Sequence, residues 1–487
     1  MRQQTSPFWG SFGSLCDHEE PENGSGPSAR PFAMAENEPS AVTIGIDIGT
    51  TSVKAVAVDA DGHVVARARV PHELFSSNAG ELAHDAAAAW FEGVRAALAE
   101  VALPGLEIAA VNVAAMVPSL CAVDEAGRPV SPGLLYGDAR GADPSAEAAD
   151  PSSSGELVRF LGWLVEHHPD AAGYWPAQAV ANAALTGIGA IDTVTAMTTL
   201  PLFDFTSWDA EVAAGVGLTD TARLPRIVSG SEAVGTVIIP GPAQGALVGG
   251  GTIDAFGEQL VAGADDTGDV LVIVGATLIS WAVVDEWLEF EGLWTVPHTA
   301  PGKTLVGGAS NAGGLFINWV RRLLAEPSEV SLDPERVPVW LPHLRGERVP
   351  LHDPTRRASL HGLDIGMGPA EAMRAAYEAS GFSIRHQLDI AGLTPSRLVL
   401  SGGGTQDPRW VAAIVDATGI PADLVAVPEG GALGAAYLAR VTAGLEASAS
   451  DAGRWAATRG RVEPDPAWQA ACVGRYAVYR SLLGDHG

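Results

Sequence analysis

Hydrophobic and polar residues alternate over three successive runs near the start of the patterned sequence. Residues 42–48, VTIGIDI, predict a buried strand, SVKAVAVD (52–59) alternates into a second, and HVVARARV (63–70) follows the turn DADG. The order strand–loop–strand–turn–strand predicts an antiparallel meander. A Walker loop opens a helix and ends in Gly-Lys-Ser/Thr, so this glycine turn is of a different kind.

The first of these turns concentrates polar chemistry. Asp47 lies at the end of the first strand, and Gly49, Thr50 and Thr51 follow it. Gly49 lets the backbone approach a ligand, and the threonines offer N–H and hydroxyl donors suited to phosphate. Asp47 is placed to orient a hydrated Mg²⁺. An ordinary β-hairpin with a polar loop explains the same residues about equally well, because short glycine motifs are common.

The second half of the chain repeats this arrangement. A glycine-rich turn leads to Asp254 at the start of the helical stretch DAFGEQLVAG, and the apolar run DVLVIVGAT ends through Gly275 and Thr277. Two similar turns predict two related domains that face one nucleotide. A helix start favours a carboxylate by about 0.3–1 kcal/mol, so Asp254 is expected to be ionised and able to act as a general base. A plain N-cap aspartate is the alternative.

A third glycine cluster lies in RLVLSGGG, residues 397–404, where a strand runs into Gly402, Gly403 and Gly404. Flat backbone at these glycines would let a purine ring lie against them. Tight packing between the strand and the next helix is the alternative, and Gly434 in a later Gly/Ala-rich helix is expected to serve such packing.

Composition narrows the class of protein. The chain has 487 residues, a length that favours two domains. Its formal net charge of −29 argues against nucleic acid as a partner. Its apolar runs are shorter than the ~18–20 residues that span a bilayer, so no membrane partner is expected. Three scattered cysteines fit a reducing compartment, and a cytoplasmic location is expected.

The first 40 residues differ from the rest. They are rich in Pro, Ser, Gly and Glu and lack helical or strand periodicity, so residues 1–40 are expected to form a disordered tail. Met34 is followed at once by AENEPSAVTIGIDIGT, which suggests the hypothesis that the natural start is Met34.

Several segments, in order, carry a family resemblance. The chain resembles the FGGY carbohydrate kinases of the actin, Hsp70 and sugar kinase superfamily, over roughly residues 42–480. The resemblance implies an α/β fold of two RNase H-like (actin-like ATPase) domains with an interdomain cleft. The segments that carry it are GIDIGTTSVKAVAVD, AGELAHDAAAAWFEGV, AVDEAGRPVSPGLLYGDAR, ANAALTGIGAIDTVTAMTTLPLFD, LPHLRGERVPLHDPTRRASLHGL and LVLSGGGTQDPRWVAAIVDATGIP.

The resemblance also implies domain limits and residue roles. The N-terminal domain, for sugar and phosphate, would span 41–240, the C-terminal domain 241–445, and a C-terminal helical extension 446–487. ATP and Mg²⁺ would be required. By position, Asp254 would be the catalytic base and Asp47 would position the metal. The phosphates would lie on Gly49, Thr50, Thr51, Gly275 and Thr277, and the adenosine on Gly402, Gly403 and Gly404. Lys54 beside the first turn could neutralise phosphate charge, although a solvated strand position is the favoured interpretation.

Two departures from the family pattern affect substrate choice. Xylulose kinases of the family carry Met-His-Gly where this chain has Met116, Val117 and Pro118, so Val117 cannot supply the histidine's hydrogen bond to a sugar hydroxyl. Tyr136 replaces the tryptophan before Asp-x-Arg. Asp138 follows and either helps to form the sugar site or makes an ion pair within its domain.

The expected function is ATP-dependent phosphorylation of a sugar hydroxyl, with a ketopentose such as D-xylulose first. The alternatives are a kinase for another polyol or ketose (ribulose, ribitol or a hexulose), or an actin- or Hsp70-like ATPase without a sugar substrate. A homodimer is left open.

Overall fold

The computed structural model describes residues 41–77, 80–141, 156–228, 232–298, 302–324 and 331–484. The expected tail, residues 1–40, lies outside the described residues.

The strands are β1 Val42–Ile48, β2 Ser52–Val58, β3 Val64–Pro71, β4 Phe75–Ser76, β5 Leu82–His84, β6 Ile108–Ala115, β7 Ser119–Val123, β8 Gly133–Leu135, β9 Gly173–Trp175, β10 Ala190–Asp192, β11 Arg226–Val228, β12 Ala233–Thr236, β13 Leu247–Gly249, β14 Thr252–Ile253, β15 Asp269–Val274, β16 Leu278–Val284, β17 Trp294–Pro297, β18 Thr304–Ser310, β19 Val339–Leu341, β20 Ser359–His361, β21 Arg397–Ser401, β22 Ala422–Val425 and β23 Thr458–Val462. The helices are α1 Gly93–Val101, α2 Glu156–His167, α3 Ala177–Thr186, α4 Thr193–Met197, α5 Ala210–Gly215, α6 Asp254–Ala262, α7 Gly314–Leu323, α8 Pro369–Ala391, α9 Pro408–Thr418, α10 Gly430–Thr442 and α11 Pro466–Leu483.

The first large sheet has the strand order β12-β13-β6-β1-β2-β3, and β14 also pairs with β6. Strands β1, β2 and β3 form the predicted antiparallel meander, whereas β6 runs parallel to β1. The sheet takes up strands as late as Ile253, which is beyond the expected domain limit at 240. The limits 41–240, 241–445 and 446–487 stay a prediction.

The second large sheet repeats the arrangement of the first. Its order is β17-β18-β16-β15-β21-β22-β23. Strands β15, β16 and β18 are antiparallel in succession, and β21 runs parallel to β15 as β6 does to β1. The repeat confirms the α/β prediction, and it explains why similar glycine turns occur after β1 and β15.

The period of two along a strand decides what each face of β1 meets. Ile44, Ile46 and Ile48 are buried in a core with residues of α1 and α3. The opposite face faces α10: Thr43 Oγ1 donates to the Ala436 carbonyl at 2.9 Å, and a Cβ at Gly45 would lie 1.8 Å from the Ala432 carbonyl oxygen. Asp47 is on this second face and therefore points toward α10.

Helices α6 and α10 lie between the two sheets. Helix α10 contacts β1, β6 and α6, and α6 in turn contacts β15 and β21. The two helices approach at glycine, because a Cβ at Gly434 would lie 2.0 Å from the Gly257 carbonyl oxygen. The packing expected of Gly434 is therefore present. This layer places the start of α10 beside Asp47, at the end of β1.

Helix α11 packs back on the body, as the apolar periodicity of its sequence indicates. Buried Arg475 pairs with fully buried Glu378 of α8, with Nε 2.7 Å from Oε2, and Tyr476 and Tyr479 pack against Phe382. Truncating Arg475 would leave a buried carboxylate unpaired, so this contact is costly to break. None of the described helices has the length and apolarity needed to cross a bilayer.

Candidate active site

The first glycine turn is held by a hydrogen-bonded network. Gly49 N–H donates to the Ser52 carbonyl at 3.1 Å, which closes the turn. The Thr50 hydroxyl lies 2.8 Å from the Tyr136 hydroxyl, and the Thr50 carbonyl lies 2.8 Å from His84 Nε2. Trp90 Nε1 donates to His84 Nδ1 at 3.0 Å, so His84 carries its proton on Nε2 and donates to Thr50.

His84 stays neutral in this network. Burial lowers the pKa of His84 to about 4, and the neighbouring His72 acts in the same direction. His84 and Trp90 lie in the segment AGELAHDAAAAWFEGV that carries part of the resemblance, but the spacing alone does not reveal that they support the turn. They are positioning residues that the sequence reasoning missed.

Asp47 and Lys54 form an ion pair at the base of this turn. Lys54 Nζ lies 3.1 Å from Asp47 Oδ2, and the two residues stand directly opposite each other in the β1–β2 ladder. The favoured interpretation of Lys54 as a solvated strand residue was wrong, because its partly buried ammonium faces the carboxylate. This pairing raises the pKa of Lys54, so the residue is a permanent cation beside the first glycine turn.

The chemistry around Asp47 fits a divalent cation. Asp47 is buried, Oδ2 is used by Lys54, and Oδ1 has no hydrogen-bond partner among the described residues. An unpartnered buried carboxylate oxygen is a ligand that Mg²⁺ accepts, usually together with water and substrate phosphates. Gly431 at the start of α10 keeps the space beside this carboxylate free of a side chain.

Asp254 is the first residue of α6, and Ile253 is the N-cap. The Oδ1 atom of Asp254 accepts a hydrogen bond from the Ala255 N–H at 2.7 Å. Burial raises the pKa of Asp254 to about 6 and the Asp47 carboxylate adds to the rise, whereas Lys54 and Arg348 oppose it. The expected effect of the helix start is therefore outweighed by desolvation, although a pKa of about 6 still leaves Asp254 ionised at neutral pH.

Glu258, one turn after Asp254, is a third carboxyl group in this region that sequence reasoning missed. It is buried and accepts a hydrogen bond from the Ser401 hydroxyl, directly before the third glycine cluster. Burial raises the pKa of Glu258 to about 7. A side chain at Gly430 would collide with this carboxyl group, so the glycines that open α10 make room for Glu258 and Asp47 together.

The second turn is also closed by the N–H of its glycine, but it is one residue shorter than the first. Gly275 N–H donates to the Thr277 carbonyl at 3.1 Å, and the Gly275 carbonyl accepts from Gly314 N–H at 2.8 Å. Helix α7 thus begins directly on this turn. A Cβ at Gly314 would lie 2.8 Å from the Gly275 carbonyl oxygen, so the contact needs glycine.

The three glycines of the third cluster differ in their surroundings. Gly402 has φ +88° and a Cβ there would lie 2.9 Å from the Val274 carbonyl oxygen, while a Cβ at Gly404 would lie 2.4 Å from Val274 Cγ1. These two glycines serve packing. Gly403 is exposed and a Cβ on it would meet nothing within 4 Å. Of the three, Gly403 alone has open space in which a ligand could lie.

Replacing Gly403 and Gly404 by alanine separately should therefore give opposite results. We expect Gly403→Ala to leave the melting temperature unchanged and to raise the KM for ATP, because a methyl group would enter the space in which adenosine is expected to lie. Gly404→Ala should lose about 1–3 kcal/mol of stability through overpacking. Thermal unfolding and ATP titration of both variants test this; an unchanged KM in Gly403→Ala would argue against an adenosine site there.

Two of the residues predicted to bind the acceptor substrate lie beside the first turn. Met116 directly follows β6, and its N–H donates to the Ile48 carbonyl at 3.3 Å; Val117 comes next. Tyr136 reaches the first turn through Thr50. Asp138 is fully engaged elsewhere: Arg140 Nη2 lies 2.6 Å from Oδ2, and Leu82 N–H donates to the same oxygen. The ion-pair alternative for Asp138 is therefore the better description.

Comparison with known proteins gives the family. The N-terminal domain model of the FGGY family of carbohydrate kinases matches residues 42–250, and the C-terminal domain model matches residues 270–443. The xylulose kinase of Streptomyces coelicolor is 30% identical over 461 residues, which cover 86% of this chain and 92% of that protein.

Solved structures give the same fold. The gluconate kinase from Lactobacillus acidophilus matches with a TM-score of 0.75 at 21% identity, covering 92% of this chain and 99% of its own. The xylulose kinase from Rhodospirillum rubrum matches with a TM-score of 0.72 at 25% identity, covering 91% and 98%. The predicted two-domain, actin-like α/β fold is thereby confirmed. The chain belongs to the FGGY family of carbohydrate kinases, and it is a sugar kinase.

Proposed function

We propose that the protein transfers the γ-phosphoryl group of ATP to a hydroxyl of a ketopentose, with D-xylulose first, and that Asp254 is the general base. The observation that carries the proposal is the position of Asp254 at the start of α6, within electrostatic reach of Asp47 and Lys54. The resemblance supports binding of the phosphates at the two glycine turns. Sequence similarity to xylulose kinases supports a ketopentose as the acceptor.

In this mechanism Asp254 removes the proton of the acceptor hydroxyl as the oxygen attacks the γ-phosphorus. The new O–P bond forms while the bond between the γ-phosphorus and the bridging oxygen breaks, and the electron pair leaves with ADP. Such transfers depend mainly on positioning and charge neutralisation. Backbone N–H groups of the two turns and the Lys54 ammonium supply positive potential toward the phosphates.

Asp47 would hold Mg²⁺ through its unpartnered Oδ1, together with water and phosphate oxygens. The ion, when bound, neutralises negative charge on the phosphates. The Lys54 ammonium donates to Oδ2 and so orients the Asp47 carboxylate for this contact.

The test is the release of ADP from Mg-ATP across ketopentoses, ketohexoses and polyols. Stimulation by one ketopentose would support the proposal. Stimulation by a polyol alone would favour the alternative, a polyol kinase. The observation behind that alternative is Val117, which has no hydrogen-bonding group where the xylulose kinases of the family carry a histidine. ADP release that no sugar changes would contradict the proposal.

The pH dependence of turnover offers a second test. Because the base must be unprotonated, lowering the pH through the pKa of Asp254 should reduce kcat/KM, about tenfold per unit well below that pKa. The pKa of about 6 places this acid limb near pH 6, well above the ordinary aspartate range. Initial rates between pH 4.5 and 8 would locate it. A limb near pH 4 would argue against a desolvated carboxylate as the base.

A further inference from the structure

One loop of the second half, residues 345–348, extends toward the residues of the first half that are predicted to bind the acceptor substrate. Buried Glu347 organises this loop: Oε1 accepts from the backbone N–H groups of Asn311 and Arg348, both at 2.8 Å, and Oε2 accepts from the Ser310 hydroxyl at 2.9 Å. The loop is therefore rigidly attached to β18. Arg345 from the same loop donates to the Gly137 carbonyl at 2.7 Å, which links the loop to the residue after Tyr136.

Arg348 is held between two aromatic rings. Its guanidinium carbon lies 5.5 Å from the centre of the Tyr136 ring and 5.4 Å from the centre of the Trp294 ring. Cation–π contacts of this kind fix the plane of the guanidinium and leave its N–H groups free to donate. Tyr136 comes from the first half of the chain and Trp294 from the second, so Arg348 lies where the two halves meet.

Those N–H groups have no acceptor within the described part of the chain. Arg348 makes cation–π contacts but no side-chain hydrogen bond or ion pair there, although the side chain is half-buried and the chain carries a net charge of −29. A guanidinium is a donor only, and a partly desolvated one without acceptors is costly. The guanidinium is therefore available to donate to a bound ligand.

The location indicates what that ligand is. Arg348 lowers the pKa of Asp254 and therefore lies within electrostatic reach of it, and it covers the face of Tyr136, whose hydroxyl contacts Thr50. A general base must approach the reacting hydroxyl to hydrogen-bond distance. We therefore expect an acceptor whose hydroxyl meets Asp254 to lie near Tyr136 and Arg348.

We propose that Arg348 is a specificity-determining residue that donates hydrogen bonds to the carbonyl oxygen of a ketose acceptor. This inference rests on the proposed function. A carbonyl oxygen is an acceptor only, which matches a donor-only guanidinium better than a hydroxyl does. The hydrogen bond from Arg348 would also replace the sugar contact that Val117 cannot make, because Arg348 supplies a polar group from the opposite half of the molecule.

The test compares D-xylulose with xylitol, a polyol of the same length without a carbonyl. Arg348→Met removes the donors while keeping a long apolar side chain. We expect its kcat/KM preference for the ketose to fall about 10- to 100-fold, mainly through the KM for D-xylulose, the usual scale for a charged hydrogen bond. Sugar-free ATP hydrolysis, measured in parallel, separates a loss of the acceptor contact from a loss at the phosphoryl group. Arg348→Lys should recover part of the preference.

Arg385→Met is the matched control. The Arg385 guanidinium lies 4.2 Å from the Tyr476 ring centre, on α8 and in the α11 interface, so it makes the same kind of contact in another part of the fold. It should leave both substrates unaffected.

Two results would overturn the inference alone: an Arg348→Met variant that keeps the ketose preference, and an equal loss of sugar-free hydrolysis, which would assign Arg348 to the phosphoryl group. A wild type that prefers xylitol would contradict the proposed ketopentose acceptor and this inference with it. A wild type that turns over no acceptor would contradict the proposed function, and this inference with it.

Discussion

Replacing Asp254 by asparagine should reduce sugar-dependent ADP release by about 10²- to 10⁴-fold, the usual contribution of a general base. Asparagine keeps the shape of the side chain but cannot take the proton of the acceptor hydroxyl. The KM for ATP should change little, because Asp254 is assigned to the acceptor. Steady-state rates with the best acceptor and varied ATP measure both quantities.

The same variant should be at least as stable as the wild type at pH 7.5. Folding raises the pKa of Asp254 to about 6, so above that pH the ionised side chain weakens the folded state, and a neutral amide removes this effect. Thermal unfolding should therefore show an equal or higher melting temperature. The matched control is Asp209→Asn at the N-cap of α5, since asparagine caps helices well and that residue lies outside the site. Near-normal turnover by Asp254→Asn would refute the assignment.

Replacing Gly45 by alanine should destabilise the fold by about 3 kcal/mol or more, at the upper end of the overpacking range. The new Cβ would lie 1.8 Å from the Ala432 carbonyl oxygen and 2.5 Å from the Ala436 nitrogen. Both neighbours are backbone atoms of α10, so no side chain can rotate away. Either β1 or α10 must shift, and Asp47 and Gly431 at the ends of these elements would shift with them. We therefore expect loss of both stability and activity.

The control is Gly474→Ala in α11. Gly474 is exposed and a Cβ there would meet nothing within 4 Å, so alanine should stabilise the helix by up to about 1 kcal/mol. Denaturant unfolding of both variants gives the two values. A Gly45→Ala protein with wild-type stability would show that β1 and α10 are not packed as closely as the structure has them.

The sequence predicts the parts of the fold that depend on local pattern. Alternation over residues 42–48 and apolar density over 269–274 locate β1 and β15, and the glycine after each locates the two turns. The Lys54 pairing could also have been found, because a tight turn from Ile48 to Ser52 forces Asp47 and Lys54 into opposite positions of the hairpin. The prediction that Lys54 is solvated was wrong because it relied on the high average solvent exposure of lysine side chains.

Contacts over long sequence distances were not predictable in this way. Nothing near Gly45 in the sequence indicates that α10 lies against it, and Glu258 resembles any other polar residue of an amphipathic helix. The pKa of Asp254 depends on desolvation by elements that the pattern does not bring together. The role of Arg348 likewise requires the positions of Tyr136 and Trp294, which come from opposite halves of the chain.

The position of α10 against β1 has a consequence for biosynthesis. Thr43 meets a helix residue 393 positions later in the chain, so one face of the first sheet stays uncovered until nearly the whole polypeptide has left the ribosome. At about 5–20 residues per second, this interval lasts roughly 20–80 s. During that time the exposed face of the nascent chain is open to aggregation and to chaperones. The N-terminal half, expressed by itself, would remain in that vulnerable state.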